Sequence, residues 1–146
     1  MNKDDERADY YADPVGHCLA ALKQGNEHER FNAADILRGL AEDAEGAIPA
    51  LVEAMRKDEG QQVRAQAGFA LTEICFAVKE RAAFIVPSLV EALLQDEDPE
   101  ARSGAAITLK AIGPSAKSSI PALQQALHDE HEWVREAAQE TLESFG

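Results

Sequence analysis

The sequence predicts an all-α fold, a right-handed α-solenoid of four stacked helix pairs. Its main evidence is a set of arginines that recur at steps of 34, 38 and 33 residues: Arg30, Arg64, Arg102 and Arg135. Each is followed by an Ala three residues later and a Leu seven residues later, a spacing that keeps one face of an α-helix. A sequence repeat of this length, with helical spacing inside each copy, is typical of tandem helix pairs, in which each pair buries its apolar face against the next.

The first elements follow from capping signals. Residues 1–12 are acidic and lack apolar periodicity, so we expect a flexible lead-in before a repeat domain over 13–146. Asp13 and Pro14 mark the start of a helix, since a capping side chain precedes proline at the first helical position. This helix should end before Gly25-Asn26, and the second helix should end near Ala41. The four repeats are expected at approximately 13–45, 46–83, 84–117 and 118–146.

The first helices of the other repeats begin at Pro49, Pro87 and Pro121, and apolar residues follow two, five and six positions later. That spacing makes one apolar stripe on a helix. Each segment has only about ten residues and would be marginal alone, so its stability must come from stacking on its neighbours. A polar turn and a longer second helix, which carries the repeated Arg, Ala and Leu, complete each repeat.

The second repeat contains four more residues before its next proline than the first and third repeats do. Four residues make about one helical turn, so the apolar face is rotated by only about 40°. The additional stretch, over 77–83, is rich in helix formers. We therefore predict that the second helix of this repeat is one turn longer than its counterparts.

An aspartate lies six residues before three of the arginines. The pairs are Asp58 and Arg64, Asp96 and Arg102, and Asp129 and Arg135. One interpretation is a ladder that binds a ligand. We favour a structural role, in which the Asp caps the second helix and the half-buried Arg is held by a carboxylate or a carbonyl.

The second helices should line the concave surface of the stack. Positions one, five and eight after each Arg lie opposite the buried face, and there Phe69 and Ile107 are apolar where solvent is expected. They form the centre of a protein-binding patch with an acidic rim, or they pack between adjacent helices; the sequence leaves both open. The candidate protein-binding residues are Phe31, Asp35, Phe69, Thr72, Ile107, Lys110, Glu136 and Glu140.

The charge composition limits the classes of partner that the protein could bind. With 14 basic and 27 acidic residues the net charge is −13, so nucleic acid and anionic membranes should be repelled, and the candidate surface offers only Arg38 and Lys110 as cations. A protein or peptide partner, including a basic one, is compatible with this charge. The sequence has no apolar run that could span a membrane and no secretory signal, and Cys18 and Cys75 form no CxxC motif, so a reducing cytoplasm is expected.

The sequence gives no support for catalysis, and we expect no catalytic residue, cofactor or metal. It contains neither a Gly-x-Ser-x-Gly elbow nor a Gly-rich phosphate loop. His128 and His131, with Asp129 and Glu132, could form an improvised metal site, but a solvated turn is the favoured interpretation because zinc needs converging ligands.

The proline-led first helix, the acidic turn and a second helix with the pattern Val-Arg-x-x-Ala-x-x-x-Leu resemble HEAT repeats, with Asp96 to Gly113 as the clearest copy. The periods are shorter than the usual ~40–47 residues. They are similar to the short HEAT-like repeats of phycobilisome lyase subunits. The first copy departs most, as a terminal cap does. The last copy ends uncovered at Phe145, so that Phe145 and Trp133 are either partly exposed or covered by another molecule, and a homodimer through this repeat is one expectation.

The leading functional hypothesis is a non-catalytic scaffold or adaptor that binds a protein or peptide on the concave surface. The alternative, implied by the resemblance alone, is a bilin-lyase-like or other enzyme-associated subunit that works as a pair of different chains.

Overall fold

The structure, a computed structural model, describes residues 12–146. The expected lead-in lies outside the described residues, apart from Ala12. Throughout 12–146 the regular structure is helical, which confirms the all-α prediction. The eight α-helices are α1 Pro14–Gln24, α2 Glu27–Leu40, α3 Ile48–Lys57, α4 Gln61–Val78, α5 Val86–Gln95, α6 Pro99–Ile112, α7 Ile120–Ala126 and α8 Glu132–Ser144. Short 3₁₀ segments join successive pairs at Ala41–Ala47, Lys79–Ile85 and Pro114–Ser119.

The helices pack as four antiparallel pairs that stack into a solenoid. The second helices α2, α4, α6 and α8 pack side by side along one layer, and the first helices form the other layer. Neighbouring second helices contact each other more extensively than neighbouring first helices do. The second-helix layer is therefore the closely packed inner side of the stack, as expected.

The core is a continuous apolar spine. Leu37, Leu71 and Leu109 are fully buried, and Leu142 packs against the same cluster with part of its surface exposed. The alanine that follows each arginine by three positions is also buried, which lets adjacent second helices approach closely. The repeated leucines thus lie in register along the spine, and the periodicity of the sequence is explained.

The predicted extra turn is present. Helix α4 has 18 residues, whereas α2 and α6 have 14 each. The chain leaves each of these helices through a residue with positive φ: Ala41 at 49°, Lys79 at 54° and Gly113 at 88°. The reversal therefore occurs at the same structural position in three repeats, and the additional residues in the second repeat lengthen the helix before it.

Candidate functional site

A groove of about 500 Å³ runs along the second-helix layer and is bordered by residues of α2, α4, α6 and α8. Its floor consists of residues with small or absent side chains, which leave room above the helix backbones. These are Ala65, Gly68, Ala101, Gly104 and Ala137. Met55 of α3 supports the floor from below, since a Cβ on Gly104 would lie 3.4 Å from its sulfur. A Cβ added at Gly68 would likewise lie 3.6 Å from Met55, so both glycines let the second helices lie close to this side chain.

Three large apolar side chains stand in the groove. Phe69 is 61% exposed, Ile107 is 42% exposed and Trp133 is 56% exposed. The possibility that Phe69 and Ile107 pack between adjacent second helices is therefore wrong. Both project from positions opposite the spine because α4 and α6 bury their other faces, on Leu71 and Leu109.

Acidic side chains border the same groove: Glu73, Glu100, Glu136 and Glu140. Of these, Glu100 has an Oε2 atom that is buried and has no hydrogen-bond partner. The lining also includes two arginines, but both are already paired. Arg38 lies 3.0 Å from Asp35, and Arg64 lies 2.9 Å from Asp98. The side of the groove formed by α6 and α8 consequently carries an excess of negative charge.

The structure brings together five of the eight candidate binding residues: Phe69, Thr72, Ile107, Glu136 and Glu140. The other three do not line the groove. Phe31 is half-buried on α2, and Asp35 accepts hydrogen bonds from Arg38 and Gln66. Lys110 lines a neighbouring pocket and lies 3.9 Å from Glu140.

Several groove residues were not among the candidates, and two of them, Glu100 and Trp133, have large side chains at the same position of successive repeats, although Trp133 was expected to be partly exposed or covered by another molecule. Each lies two residues before the arginine of its repeat, whereas the candidate residues lie one, five or eight positions after it. The position two residues before the arginine lies at the flank of the exposed helix face, next to the face that carries the candidate positions. An apolar residue there, as at Trp133, was the available signal.

The arginines connect successive repeats. Arg30 Nε lies 2.9 Å from Asp58 Oδ2, and Arg102 Nε lies 3.0 Å from Asp129 Oδ2. In each case the carboxylate belongs to the following repeat. Arg64 makes the corresponding contact with Asp98, at 2.9 Å.

Each of these arginines also donates to carbonyl oxygens of its own turn. Arg30 Nη1 donates to Gly25, Arg64 Nη1 to Asp58 and Arg102 Nη1 to Asp96, at 3.0, 2.8 and 2.9 Å. The arginine is the fourth residue of its helix, and side chains of a helix lean toward its N-terminus, where these carbonyls lie. One guanidinium thus fastens two neighbouring turns.

The expectation that Asp58, Asp96 and Asp129 cap the helices that follow them is wrong. The residues at the N-cap positions of α4, α6 and α8 are Gly60, Asp98 and His131. The carboxylates of Asp58 and Asp129 instead accept N–H groups of the turn, at Gly60 and His131. The same two carboxylates also accept N–H groups of Arg30 and Arg102 from the preceding repeats.

Asp96 plays a different part from its two counterparts. Its carboxylate accepts the N–H of Asp98 at 3.3 Å and lies 3.6 Å from Nε of Arg56. Arg135, in the last repeat, donates to the backbone oxygen of Asp129 at 2.8 Å, and no carboxylate of residues 12–146 forms an ion pair with it. The arginine positions are therefore equivalent in sequence but not in their contacts.

The pKa shifts of the ionisable side chains agree with these contacts. Partial burial opposes ionisation of Asp129, but hydrogen bonds from Arg102 and from the His131 N–H outweigh it, so the pKa of this carboxyl is lowered. The hydrogen bond with Asp58 raises the pKa of Arg30. Burial raises the pKa of the Cys18 thiol, and it raises that of Cys75 to about 12.

Residues 12–146 contain neither a cluster of metal-ligating side chains nor a membrane-spanning helix. No three His, Cys, Asp or Glu side chains in this range are grouped so that they could hold a metal ion. The helices of the same range also include none with the length and apolarity needed to cross a bilayer.

Comparison with known proteins places the fold. Residues 86–146 match the family of HEAT repeats. The structure resembles that of an engineered protein, with a TM-score of 0.68 and 24% sequence identity. The alignment covers 90% of this chain but only 62% of the engineered protein. The structure also resembles the complex of CpcE and CpcF of phycocyanin lyase from Nostoc sp. PCC7120, with a TM-score of 0.61 and 21% identity over 90% of this chain and 77% of the other. No curated protein matches the sequence.

Proposed function

We propose, from the premise that this chain is a HEAT-like repeat protein, that it is a non-catalytic scaffold that binds a protein or peptide segment in the groove of its second helices. The observation that carries the proposal is the exposure of Phe69, Ile107 and Trp133 in one concave surface. Large apolar side chains that share an exposed concave surface are typical of interaction sites.

The arrangement has the anatomy of a small protein interface. Apolar side chains occupy its centre and charged ones its border, and Trp is among the residues that contribute most to binding energy. Covering the apolar side chains would remove them from water, which stabilises a complex by about 25 cal/mol for each Å² of apolar area. The floor of glycine and alanine lets a partner's side chains come close to the helices.

The burial of the cysteines also supports a non-catalytic role. Cys18 and Cys75 are at most 1% exposed, and both belong to the core rather than to the groove. Their raised pKa values keep both thiols protonated, and the thiolate is the form that acts as a nucleophile.

A second candidate function is that of a subunit associated with an enzyme. It is favoured by the similarity of the fold to a complex whose two components together are named a phycocyanin lyase. In that role the same groove would face a partner chain. Mixing the protein with a bilin and an acceptor protein should then change the visible absorption, and an unchanged spectrum would count against this candidate.

The scaffold proposal can be tested by selection of random peptides displayed on phage against the immobilised protein. Phe69→Ala and Ile107→Ala should each weaken the selected peptides by about tenfold, since each truncation removes a large part of a buried side chain's ~1.5–3 kcal/mol. Circular dichroism should show unchanged helix content, because both side chains are exposed.

Phe84→Ala is the matched control. Phe84 is 60% exposed but lies in the 3₁₀ segment Lys79–Ile85, outside the groove. This variant should bind the selected peptides within about twofold of the unchanged protein. Failure to select any peptide, or equal losses in all three variants, would contradict the proposal.

A further inference from the structure

We propose that the segment bound in the groove carries an arginine or lysine whose side chain lies on the Trp133 ring between the carboxylates of Glu100 and Glu136. We call these three residues the cation subsite, and we call Phe69 and Ile107 the apolar subsite. The inference rests on the proposed function, because it specifies which segment the same groove accepts.

The cation subsite follows from the stacking of the repeats. Glu100 and Trp133 occupy the same position in successive repeats, and α6 and α8 pack side by side, so the two side chains face one stretch of the groove. Glu136 lies three residues after Trp133 and therefore on the same side of α8. All three residues line the groove.

The chemistry of these side chains favours a cation. Oε2 of Glu100 is buried without a hydrogen-bond donor, which is unfavourable for a carboxylate, and a rotation of this groove-lining side chain would bring the oxygen to an incoming N–H group. The Trp133 ring is 56% exposed, and a guanidinium or ammonium is attracted to the face of tryptophan. The His131 ring lies 4.8 Å from the Trp133 ring and helps to orient it.

No free positive charge in the lining competes for this place. The arginines that line the groove are Arg38 and Arg64, and each is already paired with an aspartate. The net charge of −13 adds long-range attraction for a basic segment. Charge complementarity thus selects a basic partner segment over a neutral or an acidic one.

The positions of the two subsites set a spacing. Phe69 and Ile107 lie seven helical positions beyond the row that contains Glu100 and Trp133, which is about 10 Å along the helices. The subsites are also offset by one helix, about 9 Å, so about 14 Å separates them. An extended segment covers this distance in about four residues. The preferred ligand therefore has a large apolar residue and a basic residue about four positions apart.

The phage selection described above tests this inference. The enriched peptides should share an arginine or lysine about four positions from a large apolar residue. Their binding should shift the emission of Trp133, the single tryptophan of the chain, and should weaken as salt is added. Glu100→Gln should lower their affinity about tenfold, as expected for loss of a charged partner at a desolvated site.

Glu132→Gln is the matched control. Like Glu100, Glu132 lies in the first turn of its helix, so both substitutions remove the same favourable interaction with the helix dipole, but Glu132 does not line the groove. It should change the affinity by less than about twofold. A second test leaves the protein untouched: replacing the peptide's arginine with citrulline, which is neutral and of similar shape, should also cost about tenfold.

The outcomes separate this inference from the proposed function. Peptides that depend on Ile107 but lack a basic residue, or that bind Glu100→Gln and the citrulline form unchanged, would overturn the cation subsite and leave the scaffold proposal standing. Peptides that are insensitive to Phe69 and Ile107, or the absence of any selected peptide, would overturn both.

Discussion

Replacing Arg102 with glutamine should destabilise the protein far more than the same replacement at Arg135, although the two arginines occupy the same position in successive repeats. Arg102 is 6% exposed, and its Nε and Nη2 donate to both carboxylate oxygens of Asp129 at 3.0 and 3.1 Å. Its Nη1 also donates to carbonyl oxygens at 2.9 and 3.1 Å. Arg135 is exposed and makes one such bond, to the backbone of Asp129.

The size of the difference follows from these contacts. Hydrogen bonds to charged groups contribute about 1.5–3 kcal/mol each, and breaking a buried ion pair costs about 3–5 kcal/mol. Asp129 retains 13% exposure of its side chain, and glutamine can still donate to one acceptor, so we expect a loss of about 3 kcal/mol for Arg102→Gln. For Arg135→Gln we expect a loss below about 1 kcal/mol. At about 2–4 °C for each kcal/mol, the melting temperature should fall by about 6–12 °C in the first variant and by less than about 4 °C in the second.

Urea titration followed by circular dichroism would measure both losses, and Trp133 fluorescence would follow the last repeat separately. Arg102→Lys should fall between the two variants, because it keeps the charge but cannot form the two-pronged contact with Asp129. Equal destabilisation by Arg102→Gln and Arg135→Gln would refute the reasoning, since it would mean that the contact with the next repeat contributes nothing.

Three further predictions concern acid sensitivity, backbone conformation and thiol reactivity. The pKa of Asp129 is lower in the folded protein, so its contribution to stability is present above the ordinary carboxyl pKa and is lost as the pH falls through the folded value. The stability advantage over Asp129→Asn in urea titrations should therefore shrink between about pH 6 and about pH 3, and a constant difference would contradict the assignment. Ala41→Gly should stabilise the protein by about 1 kcal/mol because it relieves a positive φ, whereas Gly113→Ala should destabilise it by about 1–2 kcal/mol, with calorimetry as the measurement. A chromogenic thiol reagent should modify Cys75 only after unfolding, because the thiol is buried and its pKa is raised to about 12; rapid modification of the native protein would contradict this.

The sequence was sufficient to predict the features that repeat. Leu37, Leu71 and Leu109 recur once in each repeat because each repeat buries the same helical face, and this pattern predicted the spine. The longer α4 was predictable for a similar reason: four additional residues complete about one turn, so the face that contacts the core is nearly unchanged.

The partners of the arginines were not predictable from spacing alone. The spacing predicted that a carboxylate or a carbonyl holds each arginine but did not assign the residue, and the side chain reaches a carboxylate of the next repeat. There the carboxylate comes from Asp58 or Asp129 in two cases, and in the third it comes from Asp98 rather than Asp96. The choice depends on how the turns stack, which the periodicity does not encode.

The groove was predicted only in part. Phe69 and Ile107 were identified because they interrupt a polar face, and the structure places both in the groove. Trp133 and Glu100 lie at the flank of their helices, and they border the groove because neighbouring helices leave that flank uncovered. Such exposure is a property of the assembled layer rather than of any single helix.

The additional turn of α4 implies that this helix can change its length only in whole turns. Each residue advances a helix by about 100°, so removing four residues before Lys79 would return the reversal nearly to its original heading, while removing two would point it to the opposite side. Natural or designed variants of this segment should therefore tolerate deletions only in whole revolutions. A protein engineer could use the same rule to shorten or extend one border of the groove while the rest of the stack keeps its alignment.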